Sequence, residues 1–150
     1  MYTGLLHLHS ALRYVVLILL IIAVINALMK WQGKKEFKPV DKKIYLFTLI
    51  ATHTQLLIGL ILYFVSPIVD QAYADFGAAM KDAMLRFWAM EHFALMLIAI
   101  ILITIGYSSS KKVVDAVVKH KKIAIFFLLG LVLILFAIPW PFSNVARPWF

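Results

Sequence analysis

Four stretches of this chain are each long and apolar enough to cross a bilayer, and nothing else in the sequence constrains the fold as strongly. A helix needs about 20 apolar residues to span ~30 Å of hydrocarbon. The first stretch runs from about Gly4 to Met29, interrupted by His7, His9 and Arg13. The second, about Ile44 to Val65, has no formal charge but carries the polar run Thr52-His53-Thr54-Gln55. The third, about Met84 to Tyr107, is interrupted by Arg86, Glu91 and His92. The fourth, about Ile123 to Ile138, is closed by Pro139-Trp140-Pro141, since proline cannot continue a helix. The connections are short, which favours antiparallel neighbours. The expected fold is therefore all-α: one membrane-spanning, up-down four-helix bundle over residues 1–150. Within the second connection, Ala72 to Met80 is rich in helix formers and forms a short interfacial helix or extends the third span. The N-terminus lacks the basic leader and small-residue cleavage site of a signal peptide, so the first span is expected to be retained.

Composition supports this reading. Hydrophobic residues make up 64% of the chain, against about half in a soluble domain. Disorder requires low hydrophobicity and is excluded. The formal charge is +8, which in a soluble protein would suggest nucleic acid. Its distribution argues otherwise. Lys30, Lys34, Lys35, Lys38, Lys42 and Lys43 face only Glu36 and Asp41 in the first connection. Lys111, Lys112, Lys119, Lys121 and Lys122 face only Asp115 in the third. By the positive-inside rule both connections are cytoplasmic, which puts both termini on the periplasmic side of a bacterial inner membrane. The other half is neutral: Arg13, Lys81, Arg86 and Arg147 balance Asp70, Asp75, Asp82 and Glu91. The lysines are thus a topology signal, though such loops also attract anionic lipid or a partner, and no nucleic-acid role is expected. Topology does not explain the arginines. Arg13 and Arg86 lie in or near apolar spans, where charge is expensive and is usually paired or functional.

The chain has no cysteine. That excludes disulfides, thiolate metal sites and covalently attached haem. Any redox or metal role falls to histidine, helped by Met, Glu or Asp. At ~1.5 Å per helical residue, His9 lies roughly 6–10 Å and His92 roughly 8–12 Å below the outer edge of their spans. Two histidines at one depth on the first and third spans suggest a bis-imidazole haem b site near the periplasmic face. Arg13 is one turn from His9 and on its face. Arg86 and Arg147 lie on the same membrane side, suited to haem propionates. Trp88 and Met96 flank His92 by one turn each way. His53, deeper, is the reserve ligand. His7 and His9 point about 200° apart and cannot share a metal. Gln55 and Gly59 share a face that admits a ring or a close helix contact. Glu91 pairs with Arg13 or Arg86, or orients an imidazole. His120, among lysines, is expected to be solvated. The tail from Pro139 through Phe150 reads as an interfacial aromatic belt, with Arg147 over the outer mouth.

Leu8-His9-Ser10-Ala11-Leu12-Arg13-Tyr14, Gln55-Leu56-Leu57-Ile58-Gly59, Arg86-Phe87-Trp88-Ala89-Met90-Glu91-His92 and the Pro139-Trp140-Pro141 to Arg147-Pro148 tail carry a resemblance. Over nearly the whole chain, these segments resemble a family of small bacterial four-helix membrane proteins labelled cytochrome b-like. The resemblance implies a b-type haem and membrane electron transfer. It points to His9 and His92, supported by Arg13, Gln55, Arg86, Glu91 and Arg147. His7 and His53 are not part of that pattern.

Three readings stand at this point. The leading one is a haem b protein that exchanges electrons with quinol or a respiratory assembly, as a carrier or subunit rather than a stand-alone enzyme; quinone is a second cofactor to consider. The second is a non-catalytic membrane subunit or scaffold whose His/Arg/Glu cluster locks helices together. The third is a periplasm-facing His/Glu/Met metal site. Oligomeric state is open in all three. Phosphate-binding glycine loops, HExxH and GxSxG are absent.

Overall fold

The computed structural model describes residues 2–143 and 145. Among these there is no strand, and the helices follow as α1 (Tyr2–Gln32), α2 (Pro39–Phe64), α3 (Pro67–Ala74), α4 (Phe76–Ala79), α5 (Ala83–Arg86), a π-helical turn (Phe87–Glu91), α6 (His92–Lys111) and α7 (Ala116–Ala137). α5, the π turn and α6 run on as one 29-residue span, Ala83–Lys111. With α1, α2 and α7 it makes four helices long and apolar enough to cross a membrane. The segment between the second and third spans folds as α3 and α4, divided at Asp75, so Ala72 to Met80 forms neither one helix nor an extension of the third span.

Local chemistry sets the boundaries. Pro39 occupies the first turn of α2, where its missing N–H costs nothing, and the Asp41 carboxylate accepts from the Lys38 N–H at 2.8 Å. Asp115 caps α7 by accepting from the Val118 N–H at 2.8 Å. Asp75 and Asp82 cap α4 and α5 in the same way. These caps start α2 and α7 several residues before their apolar stretches begin. Lys42, Lys43, Lys119, Lys121 and Lys122 therefore lie on helix ends rather than in loops. Lysine is a good helix former, and its long stem lets the charge reach the interface.

α1 packs against α2 and α7, and the third span packs against α7 and α2. Leu17, Leu20, Val24, Ile103, Ile123, Phe127 and Leu131 meet in the core. The outward faces are apolar too: Ile18, Ile25, Leu57, Ile101 and Phe136 are exposed, Phe136 at 78%. Faces of this kind on every long helix suit a lipid bilayer and not water. In lipid, helices associate through close packing of small residues more than through hydrophobic burial. The α6–α7 contact shows this. A Cβ on Gly106 would lie 2.6 Å from Phe126 Cβ, and one on Gly130 would lie 2.7 Å from Ile103 Cγ1. Gly130→Ala should therefore lower stability by about 1–3 kcal/mol, the usual penalty for overpacking, seen as a lower thermal midpoint of the detergent-solubilised chain.

The lysine-rich end is fastened by a buried polar network that crosses three of the spans. Asp41, fully buried, accepts from Asn26 Nδ2 at 2.9 Å and pairs with Lys30. Asn26 Nδ2 also donates to the Tyr45 hydroxyl at 2.9 Å. That hydroxyl lies 3.0 Å from His120 Nδ1, and His120 Nε2 lies 3.3 Å from the Glu36 carbonyl. Carbonyls only accept, so Nε2–H donates to Glu36 and Nδ1 accepts from Tyr45. His120 is fully buried, which corrects the expectation of a solvated loop histidine: the Asp115 cap begins α7 early and turns His120 inward, where Phe37 packs at 5.2 Å. Removing Asp41 would take the acceptor from Lys30, from one Asn26 hydrogen and from the Lys38 N–H together. Asp41→Ala should cost about 2–4 kcal/mol, reduced from a fully buried pair because Lys30 keeps 21% of its side chain exposed. Asp41→Asn should lose less in the same melting experiment.

Candidate functional site

At the opposite end, the start of α1, the end of α2, the start of the third span and the end of α7 surround one cavity. Its walls include His9, Ser10 and Arg13 from α1, Thr52, Gln55 and Gly59 from α2, Trp88, His92 and Met96 from the third span, and Ile134 from α7. Along α2 the lining runs from Thr52 to Tyr63, a length of about 16 Å at the helical rise. The cavity encloses about 150 Å³. The cavity is thus an elongated slot along the helices.

The helical register sets which side chains reach it. His9 and Arg13 are four residues apart on α1 and both line the slot, as do Gln55 and Gly59 on α2. His7, two residues from His9, is exposed on another face. Gly59 makes room for an imidazole: a Cβ there would lie 3.0 Å from His9 Cε1. Gln55 Nε2 donates to the His9 carbonyl at 2.9 Å and ties α2 to α1. Gln55 Oε1 is buried with no hydrogen-bond partner. His92 Nδ1 lies 2.8 Å from the Ala137 carbonyl and donates to it, since a carbonyl only accepts. Metal-ligating histidines commonly donate their second ring N–H in this way. Trp88 packs on the His92 ring at 5.5 Å.

The π turn immediately precedes His92. Such turns are rare and often mark functional sites. Here Tyr63 donates to the Ala89 carbonyl within the turn at 2.7 Å and in turn accepts from Tyr73 at 2.9 Å, which ties α2, α3 and the turn together. Neither the turn nor Tyr63 was legible in the spacing of residues.

Other expected site residues lie elsewhere. Arg86 and Glu91 do not line the slot; Arg86 Nε donates to Glu91 Oε1 at 2.6 Å, and Arg86 Nη1 donates to the Met80 carbonyl at 3.0 Å. Of the two partners open to Glu91, the structure therefore selects Arg86. Arg13 lies over the Tyr14 ring at 4.8 Å and donates to its hydroxyl. His53 is not among the lining residues; its Nδ1 donates to the Leu49 carbonyl, and its Nε2 lies 3.4 Å from Thr104 Oγ1 on the third span. Arg147 and Trp149 fall outside the described residues. Among the described residues, no group of three or more His, Cys, Asp or Glu side chains is placed to hold a metal ion.

Comparison with protein-family models, curated proteins and solved structures gives no match to this chain.

The Arg86–Glu91 pair is about 40% exposed on both sides, so solvent screens it. Glu91→Gln should shift stability by less than about 1 kcal/mol in a thermal melt. A larger loss would place Glu91 in a more buried role than this pairing.

Proposed function

We propose that this chain is a membrane-bound, b-type cytochrome-like electron carrier or subunit. His9 and His92 would be the residues that hold a haem b in its slot. In this reading the four spans form an up-down bundle in a bacterial inner membrane, the lysine-rich ends face the cytoplasm, and both termini and the slot face the periplasm. The observation that carries the reading is the convergence of His9 and His92 on one slot, with the His92 ring oriented by the Ala137 carbonyl.

The residues present suit that group. Gly59 gives the His9 ring its space, and the Ala137 carbonyl orients the His92 ring. Trp88, Met96, Leu56 and Ile100 offer apolar walls, and Arg13 places a cation on the same lining. When bound, a haem b supplies reversible one-electron transfer. The chain would hold it, exclude water from its faces and set its distance from the outer surface, where quinol or a respiratory assembly would exchange electrons.

A second reading rests on a different atom. The buried, unpartnered Gln55 Oε1 favours a ligand that brings an O–H donor into the slot, such as a quinol headgroup. A scaffold role follows if the slot takes neither group.

A reduced-minus-oxidised absorption spectrum of the protein, purified after expression with ample haem, separates these readings. The haem reading expects a low-spin b-type band, abolished by His9→Ala and by His92→Ala and retained in His53→Ala. A colourless protein that releases quinone on solvent extraction supports the second reading, and one that releases neither sinks both.

A further inference from the structure

A second cavity, of about 230 Å³, opens at the lysine-rich end, far from the slot. Lys42 from the first turn of α2, Lys111 from the last turn of α6 and Lys119 from α7 all line it. Three helices thus bring three lysines to one hollow. The carboxylates of this end, Glu36, Asp41 and Asp115, are not among the lining residues. Asp41 is instead paired with Lys30 inside the protein, and Asp115 is spent as the cap of α7. None of the three cavity lysines makes an ion pair with a described residue; Lys119 lies over the Phe37 ring at 4.9 Å, and Lys111 lies over the Tyr107 ring at 5.8 Å. Both rings also line the cavity.

A positive-inside signal requires lysines near the membrane surface, but it does not require them to converge on a hollow. Mutual repulsion disfavours convergence unless an anion offsets it. The floor is built for permanence: Tyr45 lines it while its hydroxyl is engaged with Asn26 and His120, and Ser110 lines it nearly fully buried. Aromatic residues and three lysines on one lining suit an anion with an apolar continuation.

We propose that this cavity is a binding site for a phosphate-bearing anion, held by Lys42, Lys111 and Lys119. An acidic phospholipid headgroup and free phosphate share that chemistry. The headgroup fits the position, because lysine-lined hollows at the ends of spans lie at headgroup level.

The test uses the full chain in detergent. Its thermal midpoint is followed while phosphatidylglycerol, phosphatidylcholine or inorganic phosphate is added at constant ionic strength. The lipid source expects stabilisation by phosphatidylglycerol alone; free phosphate expects stabilisation by inorganic phosphate as well. In the triple variant K42Q/K111Q/K119Q, apparent affinity should fall by about a hundredfold, near fivefold per lysine. The control K34Q/K35Q/K122Q removes the same charge outside the cavity and should retain most of the affinity. Equal losses in the two triples would reduce the effect to net charge and overturn the site, as would the absence of stabilisation by either anion in the parent chain. If the cavity triple fails to fold, the single variant K42Q against K35Q carries the same comparison.

Discussion

A helix in lipid gains little by exchanging a hydrocarbon neighbour for an apolar side chain of another helix. That single constraint explains why so little of this protein's apolar surface is buried and why what is buried matters. Large aliphatic residues such as Ile18, Ile25 and Leu57 remain outside, while Ala23, Ala27, Ala99 and Ala124 are completely buried with Gly106 and Gly130 at contact positions. The helices are brought close by what is missing from their interfaces. Where they need more than close contact, they use polar links. Asn26, Lys30, Asp41, Tyr45 and His120 join α1, α2 and α7 through groups that would be costly to leave unpaired away from water.

The polar groups at the two ends differ in what they accomplish. At the lysine-rich end every member of the buried network has a partner, and the donors and acceptors close without contradiction: Asn26 shares its two hydrogens between Asp41 and Tyr45, Tyr45 passes its own to His120, and His120 donates to Glu36. A network satisfied in this way rigidifies and specifies the packing. At the other end the helices do not close. The third span changes to a π turn just before His92, Gly59 yields space to the His9 ring, and Gln55 keeps a buried acceptor unused. A chain able to pair its polar groups so completely at one end has built a slot at the other.

Much of the fold was legible because it follows from length and apolarity. The four spans, the closure of the last one at Pro139, and the shared faces of His9 with Arg13 and of Gln55 with Gly59 needed only the helical period. What was hidden depended on capping and on pairings between distant segments. Asp115 looked like one charge in a basic loop; as the cap of α7 it moves His120 from solvent into the core. Asp41 looked like a minor term in the loop's charge balance and proved to be the centre of the network. Glu91 had two arginines within reach, and spacing could not choose between them. The π turn leaves no signature in residue spacing, so the stretch Arg86 to His92 was read as an ordinary helix.

These placements bear on how the arginines should be understood. They stood out because topology alone did not explain their concentration in the half of the chain with little lysine. Arg86 is now accounted for locally, by Glu91 and the Met80 carbonyl at the rim. Arg13 lies over the Tyr14 ring, donates to its hydroxyl, lines the slot and shares a helix face with His9. A guanidinium inside an apolar span is expensive unless its surroundings offset its charge, and the Tyr14 ring and hydroxyl supply part of that offset. In the proposed haem reading, the two imidazoles would hold the electron-poor metal, and Arg13 would lie on the same lining as a cation for an anionic edge.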